Sequence, residues 1–256
     1  MLSKGQIKQF SSLKLKKFRQ KYGQIVVEGE KSVQELLQSN LKVQFLLFES
    51  SANIKIISNI GPSVKVIENC GLDLKKISSL STPSSIIAIA EIYALELKKV
   101  DISEGYTLFL DEIRDPGNLG TIIRTAAWYG ITQIALSEGC ADVYNPKTIQ
   151  SAMGSIWKVN FEYVEKISWL KAYKALGLPI YGAFLNGENI HVNQFAKSGL
   201  LILGNEGAGI SSEAAQFVTN KITIPGSGMV ESLNVASATA ILCDTIYRNR
   251  IGVKQK

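Results

Sequence analysis

Ile224-Pro225-Gly226-Ser227-Gly228-Met229-Val230-Glu231-Ser232-Leu233-Asn234-Val235 sets the frame for the rest of this chain. A short apolar strand, Lys221–Ile224, runs into a proline and two glycines. A polar cluster follows, and the spacing predicts an apolar helix over Leu233–Tyr247. Glycines bring a ligand close to bare backbone because no Cβ intervenes. Ser232 and Asn234 are residue types whose side chains bond the exposed amides of a helix start. A polar turn feeding a helix N-terminus is a common place for a ligand. On physical chemistry alone this marks a site without saying what it does.

Two further stretches share that character. They are Asp111-Glu-Ile-Arg-Asp-Pro-Gly-Asn-Leu-Gly-Thr-Ile-Ile-Arg124 and Leu201-Ile-Leu-Gly-Asn-Glu-Gly-Ala-Gly209. In each, an apolar strand gives way to a Gly-rich polar turn and a helix follows. Taken in order, the three stretches resemble the signature motifs of the SpoU/TrmH-type RNA 2′-O-ribose methyltransferases of the SPOUT superfamily. Asn118 through Arg124 matches the first motif, Gly204 through Gly209 the second, and Ile224-Pro225 with Glu231–Val235 the third. The resemblance covers roughly residues 105–250.

Several expectations follow from that resemblance. The fold is α/β, with a C-terminal SPOUT domain built on a mostly parallel sheet. Chains almost never knot, but this family implies a deep trefoil, formed here by residues from about Leu203 to Tyr247. The reaction moves a methyl group from S-adenosylmethionine to a ribose 2′-oxygen, and needs no metal. Leu203, Gly204, Ile224 and Leu233 match positions that hold the cofactor, largely through backbone groups. For Ile224 and Leu233, core packing is the other reading. Asn118, Arg124, Glu206, Ser232 and Asn234 match catalytic positions. A guanidinium stays protonated, so Arg124 is read as gripping a phosphate and polarising the hydroxyl. Its alternative is a structural ion pair with Asp111, Glu112 or Asp115. Asn118 either fixes the loop and reaches Arg124 or another motif, or serves only as an N-cap. Glu206 orients the ribose or Asn234, or receives a proton. Ser232 and Asn234 orient the hydroxyl or cap the helix, and Glu231 is read as structural. Ala236 stands where many relatives have serine, a departure confined to a secondary contact. A homodimer is implied, with Val235, Ala238, Ile241, Leu242 and Ile246 serving core and interface together.

Composition narrows the alternatives. The 256 residues carry 28 Lys and Arg against 22 Asp and Glu, a net charge of +6. That balance suits a polyanionic partner. The first 23 residues hold Lys4, Lys8, Lys14, Lys16, Lys17, Arg19 and Lys21 without an acid, interleaved with Phe10, Phe18 and Tyr22. Cations of this kind bind phosphates and rings stack on bases. The other reading is a solvated basic helix packing Leu13, Leu15 and Phe18 on the domain. The single histidine, His191, argues against His-built metal sites, and Cys70, Cys140 and Cys243 lack zinc or disulfide spacing. No run approaches the length of a membrane span, and no secretory signal is present. These features lead us to expect a cytoplasmic protein with no membrane or DNA partner.

Alternating strands and helices over residues 24–93 predict a small α/β/α domain; Gly29-Glu30 with the helix after it resembles the start of the RNA-binding module that such families often carry, which implies a substrate-binding role. The predicted organisation is a substrate-binding domain at 1–95, a linker at 96–105 and a methyltransferase domain at 106–256. Ribosomal RNA is favoured over transfer RNA because of the extra domain, which is reasoning by analogy. The alternatives are a non-catalytic RNA-binding relative and a nucleotide-dependent oxidoreductase. The latter lacks a well-placed Gly-x-Gly-x-x-Gly followed by an acid.

Overall fold

The computed structural model describes residues 2–49, 60–68, 70–92 and 105–251. The expected helix Ala52–Ile60 and the expected linker before Gly105 lie outside those residues, save Ile60 itself. The chain forms two compact units, one of residues 1–96 with 142–157, the other of residues 97–141 with 158–256.

The first unit opens with α1 (Lys4–Ser12) and α2 (Lys16–Tyr22). Ser3 starts α1 with a reciprocal capping box to Gln6. Gly23, at φ 60, stops α2 in the left-handed region that a Cβ resists. There follow β1 (Gln24–Glu28), α3 (Glu30–Leu37), β2 (Val43–Phe48), β3 (Lys65–Glu68), α4 (Gly71–Ile77) and β4 (Ile86–Glu91). The strand order is β1-β4-β2-β3, with β2 and β3 parallel and the other pairs antiparallel. Interior β4 is buried on both faces, which is why Ile86-Ile-Ala-Ile-Ala90 is apolar without alternation. Phe10, Leu13, Leu47, Leu74, Ile77, Ile87 and Ile89 form one continuous core.

Two features of this unit depart from the sequence reading. Leu13 is fully buried, but Leu15 is 54% exposed rather than packed. Arg19, grouped with the phosphate-binding cations, is 3% exposed. Its guanidinium donates to the carbonyls of Leu13 and Lys14 at 2.9 Å each and pairs with Asp142 at 2.6 Å. The segment holding Asp142 and α6 (Pro146–Ala152) was expected in the C-terminal domain, yet it groups with the first unit. Asn145 caps α6 and Pro146 takes its first position, as the sequence predicts.

The second unit contains β5 (Tyr106–Leu110), α5 (Pro116–Trp128), β6 (Gln133–Ser137), β7 (Asn160–Val164), α7 (Lys166–Lys174) and β8 (Ile180–Asn189). It continues through β9 (Gly199–Leu203), α8 (Ser212–Ala215), β10 (Asn220–Thr223) and α9 (Val235–Arg250). The sheet order is β10-β8-β9-β5-β6-β7 and every neighbouring pair is parallel. Residues 106–110 and 199–203 are buried throughout, as strands covered on both faces must be. Because the strands run one way, the turns after β5, β9 and β10 emerge at the same edge. In open α/β sheets that edge is where ligands bind.

Helix α5 begins two residues before the predicted Asn118, at Pro116. Helix α9 begins two residues after the predicted Leu233, at Val235. Residues 155–158 form a short 3₁₀ turn where a strand over Trp157–Tyr163 was expected. Strand β8 runs past the predicted Phe184 to Asn189, and its pairing with β10 jumps from Gly182 opposite Lys221 to Glu188 opposite Ile222. The bulge carries Leu185 out into solvent, 71% exposed.

Candidate active site

The first turn is locked to its neighbours through backbone and carboxylates. The Asp111 N–H donates to the Leu203 carbonyl at 2.8 Å, extending the β5–β9 ladder by one bond. Glu112 sits at φ 57, an uncommon conformation for a residue with a Cβ. Asp115 caps α5 by accepting the Asn118 N–H at 2.8 Å. Asn118 is therefore not the cap of α5. With its backbone served by Asp115, its side-chain amide is available to the other turns.

Asn118 Nδ2 donates to Glu206 Oε1 at 2.8 Å, and Asn118 Oδ1 accepts from Asn234 Nδ2 at 3.0 Å. One carboxamide thus joins all three motifs. Asn234 is also the N-cap of α9, accepting from the Ala236 and Ser237 N–H groups at 2.8 and 3.3 Å. Its carbonyl oxygen caps the helix while its amide nitrogen reaches Asn118.

The second turn has its own internal bracing. Asn205 and Gly209 exchange backbone hydrogen bonds at 2.9 Å in both directions. Asn205 Oδ1 accepts from the Gly207 and Ala208 N–H groups, while its Nδ2 donates to the Glu112 carbonyl at 2.8 Å. Gly204 is dictated by space: a Cβ there would lie 2.1 Å from the Gly209 carbonyl carbon.

Beneath the turns lies an ion-pair cluster the sequence reading missed. Lys166, at the first position of α7, reaches Asp111 at 2.8 Å, Glu112 at 3.3 Å and the Ser211 hydroxyl at 3.1 Å. Asp111 is 1% exposed and also accepts the Ser211 N–H at 2.8 Å. Burial opposes the Lys166 charge, but Asp111 and then Glu112 outweigh it and hold its pKa above the ordinary value. Hydrogen bonds from Arg114 and then Lys166 hold the Glu112 carboxyl below its usual range. Nothing in the sequence pattern singles out one lysine at a helix start as the partner of an aspartate on a distant strand.

The remaining nominated residues differ in exposure. Arg124 is exposed on α5, and Ser232 is exposed in the turn before α9. Leu203 is 1% exposed and its carbonyl is taken by Asp111, so only its backbone is near the site. Ile224 is half-buried, while Leu233 is 48%, Val230 72% and Met229 90% exposed. The bulge of β8 borders this turn, its Leu185 carbonyl accepting from Thr223 Oγ1 at 3.0 Å. The apolar side chains and open glycines suit a nucleoside. A Cβ at Gly226 or Gly228 would meet no atom within 4 Å, so their backbone is open to approach. Among the described residues, no group of three or more His, Cys, Asp or Glu could hold a metal ion. Cys243 on α9 is buried and its thiol is pushed up to about 12, leaving it inert as a nucleophile.

Residues 105–244 match the SpoU rRNA methylase family, and residues 4–88 match the MRM3-like substrate binding domain. The chain belongs to the SpoU rRNA methylase family. It is 32% identical over 237 residues to the 23S rRNA (guanosine(2553)-2′-O)-methyltransferase RlmP of Bacillus subtilis, covering 92% of this chain and 93% of that one. An RNA methyltransferase of the TrmH family from Porphyromonas gingivalis superposes with a TM-score of 0.86 at 38% identity, over 97% of this chain and 99% of that one. The AdoMet-bound rRNA methyltransferase from Sinorhizobium meliloti superposes with a TM-score of 0.83 at 27% identity, over 97% and 96%.

Proposed function

We propose that this protein transfers a methyl group from S-adenosylmethionine to a ribose 2′-hydroxyl of ribosomal RNA. The observation that carries this reading is the Asn118 carboxamide, which hydrogen-bonds Glu206 of the second motif and Asn234 of the third. When bound, the cofactor supplies a methyl on a sulfonium, whose departure leaves a neutral thioether. The protein's task is then to hold the ribose in line and ease loss of its proton, and positioning supplies much of such an acceleration.

Each residue has a part in that task. Gly204, Ile224 and Leu233 form the cofactor pocket, with the Leu203 backbone behind it. Arg124 grips the phosphate beside the target ribose and polarises the hydroxyl through its fixed positive charge. Asn118 holds Glu206 and Asn234 in register, while Ser232 and Asn234 orient the hydroxyl. Glu206 is the carboxylate nearest this constellation and accepts the proton or orients the ribose. The trefoil implied by the family would thread residues from about Leu203 to Tyr247.

The protein also acts as a homodimer in this reading. Leu242 and Ile246 are buried within the protomer, so they serve the core. The outer apolar surface is instead Trp128 on α5, 82% exposed, with Tyr247 and Ile251 at the end of α9, 41% and 54% exposed. Light scattering at micromolar concentration should report twice the 28.0 kDa chain; a single-chain mass would refute the dimer.

The reaction is tested by incubating the protein with isotopically labelled cofactor and ribosomal RNA from cells lacking it. Nucleosides from the digested RNA are then analysed by mass spectrometry. The expected product is one labelled 2′-O-methylnucleoside. Label on a base, or label only in transfer RNA run in parallel, would overturn the corresponding part of the proposal.

A further inference from the structure

Helix α2 is held on one side and bare on the other. On its inner side Arg19 is buried, bonded to Leu13, Lys14 and Asp142. That contact neutralises the Asp142 carboxylate and fixes how α2 presents its outer side. Along that side the rings of Phe18 and Tyr22, one turn apart, lie nearly parallel at 15° with centroids 6.2 Å apart. Lys17 Nζ stands 5.0 Å from the Phe18 ring and Lys21 Nζ 5.4 Å from the Tyr22 ring. Tyr22 is 37% exposed, Leu15 at the start of the helix 54% exposed, and Phe18 half-buried. A core-forming helix would turn these three apolar side chains inward. This one keeps them at the surface among Lys14, Lys17 and Lys21, all exposed, and residues 2–23 contain no acid.

We propose that this face of α2 is a stacking platform for an unpaired RNA strand. One base lies against the Phe18–Tyr22 pair, and adjacent phosphates take Lys14, Lys17 and Lys21. The lysines now over the rings are the mobile part. An ammonium on a surface ring is held only weakly, so it yields readily to a phosphate and frees the ring for a base. Charge alone would fit a duplex equally well, but the rings select unpaired bases, whose faces are free. The inference rests on the reading of this protein as an RNA-modifying enzyme and adds the form of RNA its first unit takes.

The test uses the full chain and a short oligoadenylate carrying one 2-aminopurine, beside a blunt duplex of equal length. The protein should prefer the single strand and change the aminopurine fluorescence. Replacing both rings by leucine (F18L/Y22L) keeps apolar bulk on the helix. It should weaken single-strand binding about five- to hundredfold, the worth of one stacked base, without changing the salt dependence. The Lys17→Gln/Lys21→Gln pair should instead lower the slope of log affinity against log salt by about 1.4, some 0.7 per lost phosphate contact. Equal affinity of wild type and F18L/Y22L for the single strand, or equal affinity of wild type for strand and duplex with unchanged fluorescence, would overturn the platform. Methyl transfer by the wild-type protein is measured separately. A wild type that methylates RNA while F18L/Y22L binds normally rejects the platform alone; one that stacks the strand but never methylates rejects the enzyme reading alone.

Discussion

The turns at the edge of the parallel sheet and the basic helix at the start of the chain handle polar residues in opposite ways. At the sheet edge, polar side chains bond one another. Asn118 joins Glu206 and Asn234, Asn205 spans its own turn and the Glu112 carbonyl, and Lys166 ties Asp111, Glu112 and Ser211. On α2, the charged residues other than Arg19 face water. The first arrangement is pre-organised and suits chemistry, where donors must not move as charge develops. The second is loose and electrostatic, and suits holding a long polyanion. The two arginines make the point: Arg19, from the more basic stretch, is a buried brace, while Arg124, amid mostly apolar neighbours in the sequence, is exposed on α5. Residue type alone does not separate a ligand contact from a structural one; burial does.

That contrast can be broken first at Lys166. Lys166→Met keeps the aliphatic stem but leaves Asp111, 1% exposed, without its cation. Removing one partner of a buried pair costs about 3 kcal/mol or more. Chemical denaturation should show a loss of that order, whereas Lys17→Gln should change stability by less than about 0.5 kcal/mol. Equal stability of the two variants would mean the sheet-edge turns are no better braced than the helix.

A second, smaller effect is expected at Gly204. Alanine there must push against the Gly209 carbonyl carbon, 2.1 Å from the added Cβ. Overpacking of this kind costs about 1–3 kcal/mol. We expect a tenfold to hundredfold loss of cofactor affinity by calorimetry, with RNA binding through α2 unchanged. Unaltered cofactor affinity would remove Gly204 from the pocket.

The smallest effect is acid dependence at Glu112. Its carboxyl is held below the ordinary 4.5 by Arg114 and Lys166. A depressed carboxyl stabilises the fold above its unfolded value and loses that contribution as pH falls through its folded value. Glu112→Gln should therefore melt slightly below wild type at neutral pH, the gap closing as pH drops beneath about 4.5. A gap that persists or widens in acid would show that Glu112 acts through packing and not through charge.

Much of this was legible in the chain because it depends on local pattern. Apolar runs gave β4, β5, β6 and β9 to within a residue or two, and Asn145-Pro146 marked the start of α6. The second half of β8 was not legible: Asn186-Gly-Glu-Asn has no strand pattern, and pairing with β10 alone makes it extended. Nor was the grouping of Asp142–Trp157 with the first unit, where Asp142 pairs with Arg19, 123 residues away, and Gly154 lies against Lys31 and Glu35. In the site, the motifs named Asn118, Glu206 and Asn234 and had Asn118 reaching another motif, but not which atoms pair, because separations of 88 and 116 residues close only when the sheet forms. Lys166 escaped for the same reason, with no motif to flag it.

The claim that the sheet-edge turns perform the chemistry is tested most directly at Arg124, exposed on α5 and proposed to grip the phosphate beside the ribose. The decisive measurement is single-turnover methyl transfer by Arg124→Ala with saturating RNA and cofactor, run beside calorimetric cofactor binding. A group that stabilises developing charge is worth about a hundredfold to a thousandfold in rate, so transfer should fall by that order while cofactor affinity and melting temperature hold. Arg124→Lys should recover little, since an ammonium lacks the planar fork. A full single-turnover rate in Arg124→Ala, or loss of cofactor binding or of the fold, would contradict the assignment.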